Sequence, residues 1–277
     1  MRHGRCNGAC ATNTTDGGGI LNIGGTVTVT NSALSGNSAD DGGGGIYSDN
    51  YSTVTVTNSA LSNNSAGYGG GIYSNNYSTV TVTNSALSGN SATYSSGGGI
   101  FNYYQSTLTV TNSTLSGNSA TYSNGGGIHN AYSGTLTVTN STLSGNSANN
   151  FGGGIYNNLL ATMNYSNTII ANSAAGGDCF NGGTIGANVN NLVENGSCSP
   201  TFSGDPNLGP LQDNGGPTQT HALLAGSAAI DAGNAAVCAA APVNNLDQRG
   251  VARPQGAACD IGAYEYVDIT PPVVMSI

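Results

Sequence analysis

Lysine and tryptophan are missing from this 277-residue chain, and charge of either sign is scarce. Asp, Glu, Lys and Arg together make up 6% of it, against about 25% in an average soluble domain. The four basic residues are all arginine, the acids number 13, and the net charge is −9. A chain so poor in cations cannot grip a phosphate backbone, which excludes nucleic-acid binding. No apolar run approaches the roughly 18–20 residues that cross a bilayer, so no membrane span is expected. Disorder is also disfavoured, because disordered chains pair low hydrophobicity with high charge, whereas 37% of this one is hydrophobic. Met1–Arg5 is followed by Cys6-Asn7-Gly8-Ala9-Cys10 rather than by an apolar h-region, so no leader peptide is read there.

Glycine, by contrast, is abundant at 44 residues, and it is placed periodically. Gly-Gly-Gly-Ile recurs with its isoleucine at Ile20, Ile46, Ile72, Ile100, Ile128 and Ile155, at gaps of 26, 26, 28, 28 and 27 residues. A Thr-Val/Leu-Thr-Val-Thr-Asn-Ser block follows in step, starting at Thr26, Thr53, Thr79, Thr107 and Thr135. A third block, Leu-Ser-Gly/Asn-Asn-Ser-Ala, starts at Leu34, Leu61, Leu87, Leu115 and Leu143, and a worn sixth copy runs from Asn164 to Ser173. The Thr-Val alternation has period two, and nothing shows helical spacing. A unit of about 27 residues cannot bury its apolar face alone, whereas stacked copies can. The expected fold is therefore all-β: a right-handed parallel β-helix with three short strands per coil and a C-terminal cap. The boundaries read as a lead-in over 1–16, six coils over 17–176, a β-helix end with a disulfide-braced cap over 177–268, and a linker or extended tail over 269–277.

Alternation assigns the faces. The recurring isoleucines, the Val or Leu of the threonine block and the later Leu point inward as aliphatic columns. Asn31, Asn58, Asn84, Asn112, Asn140 and Asn167 fall at one corner, and Asn37, Asn64, Asn90, Asn118 and Asn146 at another. Asparagine favours turns, and stacked amides hydrogen-bond along a coil axis, so the first set is expected to form a ladder. The threonines point outward as a grid that includes Thr55, Thr57, Thr81, Thr83, Thr109, Thr111, Thr137 and Thr139.

Between Asn50 and Gly177 the only titratable group near neutrality is His129. Acid–base chemistry needs paired carboxylates or a positioned base, so no catalytic residue, metal or cofactor is expected. His129 stands where other coils have Leu21, Tyr47, Tyr73, Phe101 and Tyr156, which reads as one more flat ring in an outward stack. Loop tyrosines Tyr51, Tyr77, Tyr104 and Tyr132 add to it. Aromatic stripes stack on sugars or on each other, so a cell-surface glycan partner is the alternative. The threonine grid resembles the ice-binding face of some antifreeze proteins. It is also a flat sheet without lysine gatekeepers, which makes self-association, as a homopolymer or side by side, the leading expectation.

After Gly177 charge and cysteine return. Spacing suggests Cys179 with Cys198, Cys238 with Cys259, and Cys6 with Cys10, although four cysteines already allow three connectivities. Zinc is the poorer reading, since no CxxC spacing with a nearby histidine occurs. Arg249 and Arg253 are expected to pair with Asp231, Asp247 or Asp260 and fasten a cap over the last coil. The stretches Asn214–Asn234 and Asp247–Tyr266, with His221, Arg249, Arg253, Cys259 and Glu265, resemble the choice-of-anchor (Q-type) module of bacterial surface proteins. The Gly-Gly-Gly-Ile repeats are similar to the right-handed β-helix found beside such modules, to polymorphic outer-membrane repeats and to pectate-lyase-like folds. The resemblance implies a bacterial protein, secreted or displayed at the cell surface, of structural or adhesin type. Lyases of that kind place acids, calcium and a basic residue on a strand face, and the central coils here offer none.

Overall fold

A computed structural model describes residues 15–267. Three parallel sheets of seven strands each run the length of the molecule, one strand per coil. The first sheet collects the Ile strands, from Ile20–Ile23 to Cys179–Asn181. The second collects the Thr-Val strands, from Thr26–Thr30 to Thr184–Val189, and the third the Leu-Ser strands, from Ala33–Ser35 to Leu192–Val193. Equivalent residues of the first six coils pair without slip, Ile46 on Ile72 and Val54 on Val80 for example, and the register of the second sheet shifts once, between Met163 and Tyr165 where its last strand joins. The fold is a right-handed parallel β-helix with three principal strands per coil. Two features add to it. A short fourth ladder of Ser-Ala pairs joins four of the coils, Ser65–Ala66 to Ser147–Ala148. The stack also continues past the sixth isoleucine: Cys179 pairs with Ile155 and begins a seventh, shorter turn.

Inside, one apolar column follows another. Ile46, Ile72, Ile100, Ile128 and Ile155 are fully buried, as are Val54, Val56, Leu61 and their counterparts, while Ile20, Val27 and Leu34 of the first coil are partly buried. Burying each such side chain stabilises by about 1.5–3 kcal/mol, and stacking supplies the burial that a single coil lacks. The glycine triplet has a local cause. Gly97 has φ +74°, which a side chain resists. A Cβ on Gly98 would collide with the Ser119 carbonyl, and one on Gly99 would stand 2.6 Å from that of Gly127.

Asparagine ladders form, but not at the corner expected. Asn64, Asn90, Asn118 and Asn146 are fully buried, and each side chain links to the next, Nδ2 of Asn90 donating to Oδ1 of Asn118 at 2.9 Å and Asn118 to Asn146 at 2.9 Å. The same oxygens accept backbone N–H groups, such as that of Asn90 at 3.0 Å. A third set, Asn102, Asn130, Asn157 and Asn181, is joined by bonds of 2.7–2.8 Å along the first sheet. Asn31, Asn58, Asn84, Asn112, Asn140 and Asn167 instead take the left-handed conformation, φ 45–49°. That backbone turns their side chains away from a common stack; only Asn167 reaches its neighbour, Asn140, at 3.4 Å.

The C-terminal segment also departs from expectation: it does not sit over the last coil. The end of the stack is closed by the stretch that leads from the seventh turn, where Tyr165, buried in the core, donates to the Cys198 carbonyl at 2.6 Å and Phe202 bridges to Leu192. The Cys179–Cys198 disulfide pins that stretch. From Leu208 onward the chain folds back along the outside of the third sheet. A two-stranded antiparallel pair, Leu208–Gln212 with Thr220–Leu223, and one short helix, α1 (Ala235–Ala239), belong to this module. Ile169, Ala171 and Leu192 on the solenoid meet Leu223, Ala229 and Ile261 of the module in a second apolar cluster. Single polar contacts extend the docking toward the N-terminus: Thr114 to Gln248 at 2.7 Å, Asn112 to the Leu246 carbonyl at 2.9 Å, and Thr218 to the Asn84 carbonyl at 3.1 Å.

Candidate functional site

The outward residues of the first sheet build a trough. Tyr47, Tyr73, Phe101, His129, Tyr156 and Phe180 are register partners, so their rings rise in single file. Ring centroids are 5.3, 5.2, 4.8, 4.8 and 4.9 Å apart in that order. Turns between the first two strands of each coil raise one wall, with Asn75, Tyr103, Tyr132 and Asn158. Turns before the glycine triplets raise the other, with Tyr68, Ser96, Ser123 and Asn124. Together they enclose an open cleft of about 600 Å³ whose only acid among the described residues is Asp41, at its N-terminal end.

The floor rings pack on each other in mixed geometry: Tyr47 on Tyr73 and His129 on Tyr156 meet edge to face at 78°, and two other pairs stack. Tyr73 and Phe101 lie within 10° of parallel, and Tyr156 and Phe180 within 8°. Burial raises the Tyr47 hydroxyl to about 12 and pushes Tyr73 up as well, so both remain protonated donors. His129 is 6% exposed, and neither ring nitrogen has a hydrogen-bond partner among the described residues. Desolvation pulls its pKa down to about 3, so the imidazole is neutral at ordinary pH. The second wall was missed in the sequence, and only Tyr68, directly before its glycine triplet, marks it there; the aromatics at the like places of later coils, Tyr94, Tyr122 and Phe151, are exposed and do not line the trough.

The threonine grid lies on the outer face of the second sheet, in register from coil to coil. Thr55, Thr57, Thr81, Thr83, Thr109, Thr137 and Thr139 are partly exposed. Thr111 is not: it is 1% exposed. Nearby, Thr139 and Ser166 form one side of a cleft whose other side is α1 and residues 240–243, so the module encroaches on this corner of the grid.

The arginines of the module divide differently from expectation. Arg249 binds Asp247 at 2.6 Å and lies over the Tyr264 ring. Arg253 pairs at 3.0 Å with Glu265, both fully buried, and also donates to the Asp260 and Gly262 carbonyls. Among the described residues Asp231 and Asp260 make no ion pair. Their carboxylates accept backbone N–H groups, Ala258 to Asp231 at 2.9 Å and Asp231 to Asp260 at 2.7 Å, which stitches the loops together. Burial is the largest influence on Arg253, lowering it, and on Glu265, raising it; mutual attraction opposes both. Burial also raises Asp260 to about 6. Cys238 and Cys259 are joined, and Cys6 and Cys10 lie outside the described residues.

One pair had no sequence signal. His221 Nδ1 is 2.8 Å from the Gly209 carbonyl, so that nitrogen carries the proton, and Nε2 accepts from the Ser116 hydroxyl at 2.9 Å. This resembles an activated serine. The adjacent Gly117 N–H is already committed to the Ser144 carbonyl at 3.1 Å, so it is not free to hold an oxyanion. The pair clamps the module to the fourth coil.

Among known proteins, residues 5–115 match the family model for the right handed beta helix region. No curated protein and no solved structure matches the chain. Among the described residues no helix is long and apolar enough to cross a membrane, and no group of three or more His, Cys, Asp or Glu is placed to hold a metal ion.

Proposed function

We propose that the protein is a non-catalytic structural solenoid of the extracellular space that associates with copies of itself through the threonine face. The observation that carries this reading is the second sheet of the first three coils. Thr26–Thr30, Thr53–Thr57 and Thr79–Thr83 pair residue for residue and carry no ionised side chain. Charged side chains on such a face would repel a second copy, and this chain has no lysine at all. Two disulfides suit an oxidising compartment. The side-docked module is then the display element that its resemblance to choice-of-anchor modules suggests.

Purified protein should form ordered polymers or sheets in negative-stain images as concentration rises. Thr81→Lys, which places a charge at the centre of the grid, should return it to monomers by light scattering. Uniformly monomeric wild-type particles at high concentration would sink the proposal.

A further inference from the structure

The turns that link the first sheet to the second carry side chains that the fold does not ask for. In coils two to five the two turn residues are left-handed, a geometry in which Asn-Gly is the favoured pair. Asn50 and Asn76 take the first place at φ 59° and 51°, but the second is held by Tyr51 at 59° and Tyr77 at 63°. Tyr104 and Tyr132 stand at 34° and 48° in the next two coils, and Leu160 at 68° in the sixth. A bulky side chain on such a backbone costs free energy that glycine avoids. Glycine serves in the first coil, which turns at this place on Gly24, φ +66°, followed by Gly25. Strain kept on coil after coil points to a use for the side chains.

Those side chains face water. Tyr51 is 68% exposed, Leu160 75%, and Tyr77, the least exposed of the five, 38%. They rise as a crest with one rung per coil: Tyr51 stacks on Tyr77 at 4.9 Å and 4°, and Tyr77 meets Tyr104 edge-on at 5.7 Å. No acid or arginine lies between Tyr51 and Leu160. A continuous apolar crest in water marks a contact surface, and tyrosine is among the residues that anchor such surfaces. We infer that the crest docks a second copy of this chain and supplies most of the affinity between copies. This rests on the self-association proposed above, and a second copy is the partner that fits. The second-sheet strands begin two residues past the crest, at Thr53 and Thr79, so crest and threonine face are continuous. Rungs recur with the coils, about 4.8 Å apart, and a partner of the same period meets every one, as in zippers of identical segments. Two uncharged crests do not repel each other, and a crest without cations has no grip on anionic lipid headgroups.

The test is sedimentation velocity of the whole chain over a concentration series, with urea denaturation of each protein below the concentration at which it assembles. Tyr77→Gly and Tyr104→Gly should each raise the concentration at which assembly begins about tenfold, the loss of one anchoring aromatic. Their urea midpoints should stay level or rise, because glycine takes the left-handed turn without strain. Side chains that served only the fold would lower the midpoint instead and leave assembly where it was. Should a glycine variant fail to fold, Tyr77→Asn, which also suits this backbone, carries the test. If wild-type protein assembles, Thr81→Lys prevents it and the folded crest variants assemble like wild type, the crest is overturned and the threonine face stands. Wild-type protein that stays monomeric throughout overturns both. Binding of the Thr81→Lys protein to neutral phosphatidylcholine vesicles, lost when Tyr77→Gly is added, would make the crest a lipid contact and also overturn the inference.

Discussion

Replacing His129 by Phe removes from the solenoid the part of its acid sensitivity that this one buried imidazole supplies. The His129 imidazole has its pKa lowered from 6.5 to about 3 by desolvation. The unfolded chain therefore binds a proton between those values that the folded chain does not. Stability from this group is complete above pH 6.5 and is lost progressively as pH falls toward 3. Between pH 6.5 and pH 4 the loss amounts to about 3 kcal/mol. Asp260, raised to about 6, acts in the opposite sense: its contribution is present in acid and is lost as pH rises through 6. His221, lowered by burial, adds to the acid loss. Both groups persist in the variant, so the difference between the two urea-denaturation curves, read at pH 7 and again at pH 4, isolates His129. The column already accepts Phe at 101 and 180, and the variant should gain about 1–2 kcal/mol at pH 7 because no buried nitrogen remains unpaired. Equal pH dependence in the two proteins would refute the assignment.

The second large effect separates the two asparagine columns. Asn118→Ala should cost about 3 kcal/mol or more, because the Asn90 N–H and side chain lose their acceptor while the Leu87 and Asn146 oxygens lose a donor. Asn58→Ala should cost about 1 kcal/mol, the penalty of a left-handed backbone for an ordinary side chain. Urea midpoints followed by far-UV circular dichroism compare the two directly. Equal costs at both corners would mean that the buried ladder contributes nothing beyond turn geometry.

The β-helix was legible in the sequence because its cause is local and repeated. Gly-Gly-Gly-Ile, the Thr-Val alternation and the Leu-Ser block each recur with the coil, and one register satisfies all three. What repeats twice at similar turns is harder to separate: Asn58 and Asn64 are both turn-prone, and only the backbone angle shows which side chain points at its neighbour. The seventh turn was obscured because Cys179 stands in the isoleucine column, and the cysteine drew attention to its pairing instead. The side docking of the module rests on contacts such as Thr114 with Gln248 and Ser116 with His221, which join residues more than a hundred positions apart. No period announces those. For the trough, the outward column through Tyr73 and His129 could be read, while the facing wall at Ser96 and Asn124 sits in turns of varying length. Glu265 was passed over for Arg253 because nearer aspartates offered themselves, yet those are consumed by backbone N–H groups.

The docking of the module on the flank has a mechanical consequence. Repeat stacks ordinarily fray coil by coil from their termini. Here one element is bonded at Asn84, Asn112, Thr142 and Asn167, residues of four consecutive turns. It acts as a splint, so pulling or heating should release those turns together rather than one after another. Turns on the N-terminal side of Asn84 lie outside the splint, and whole repeats gained or lost there would alter the length of the rod without disturbing the joint.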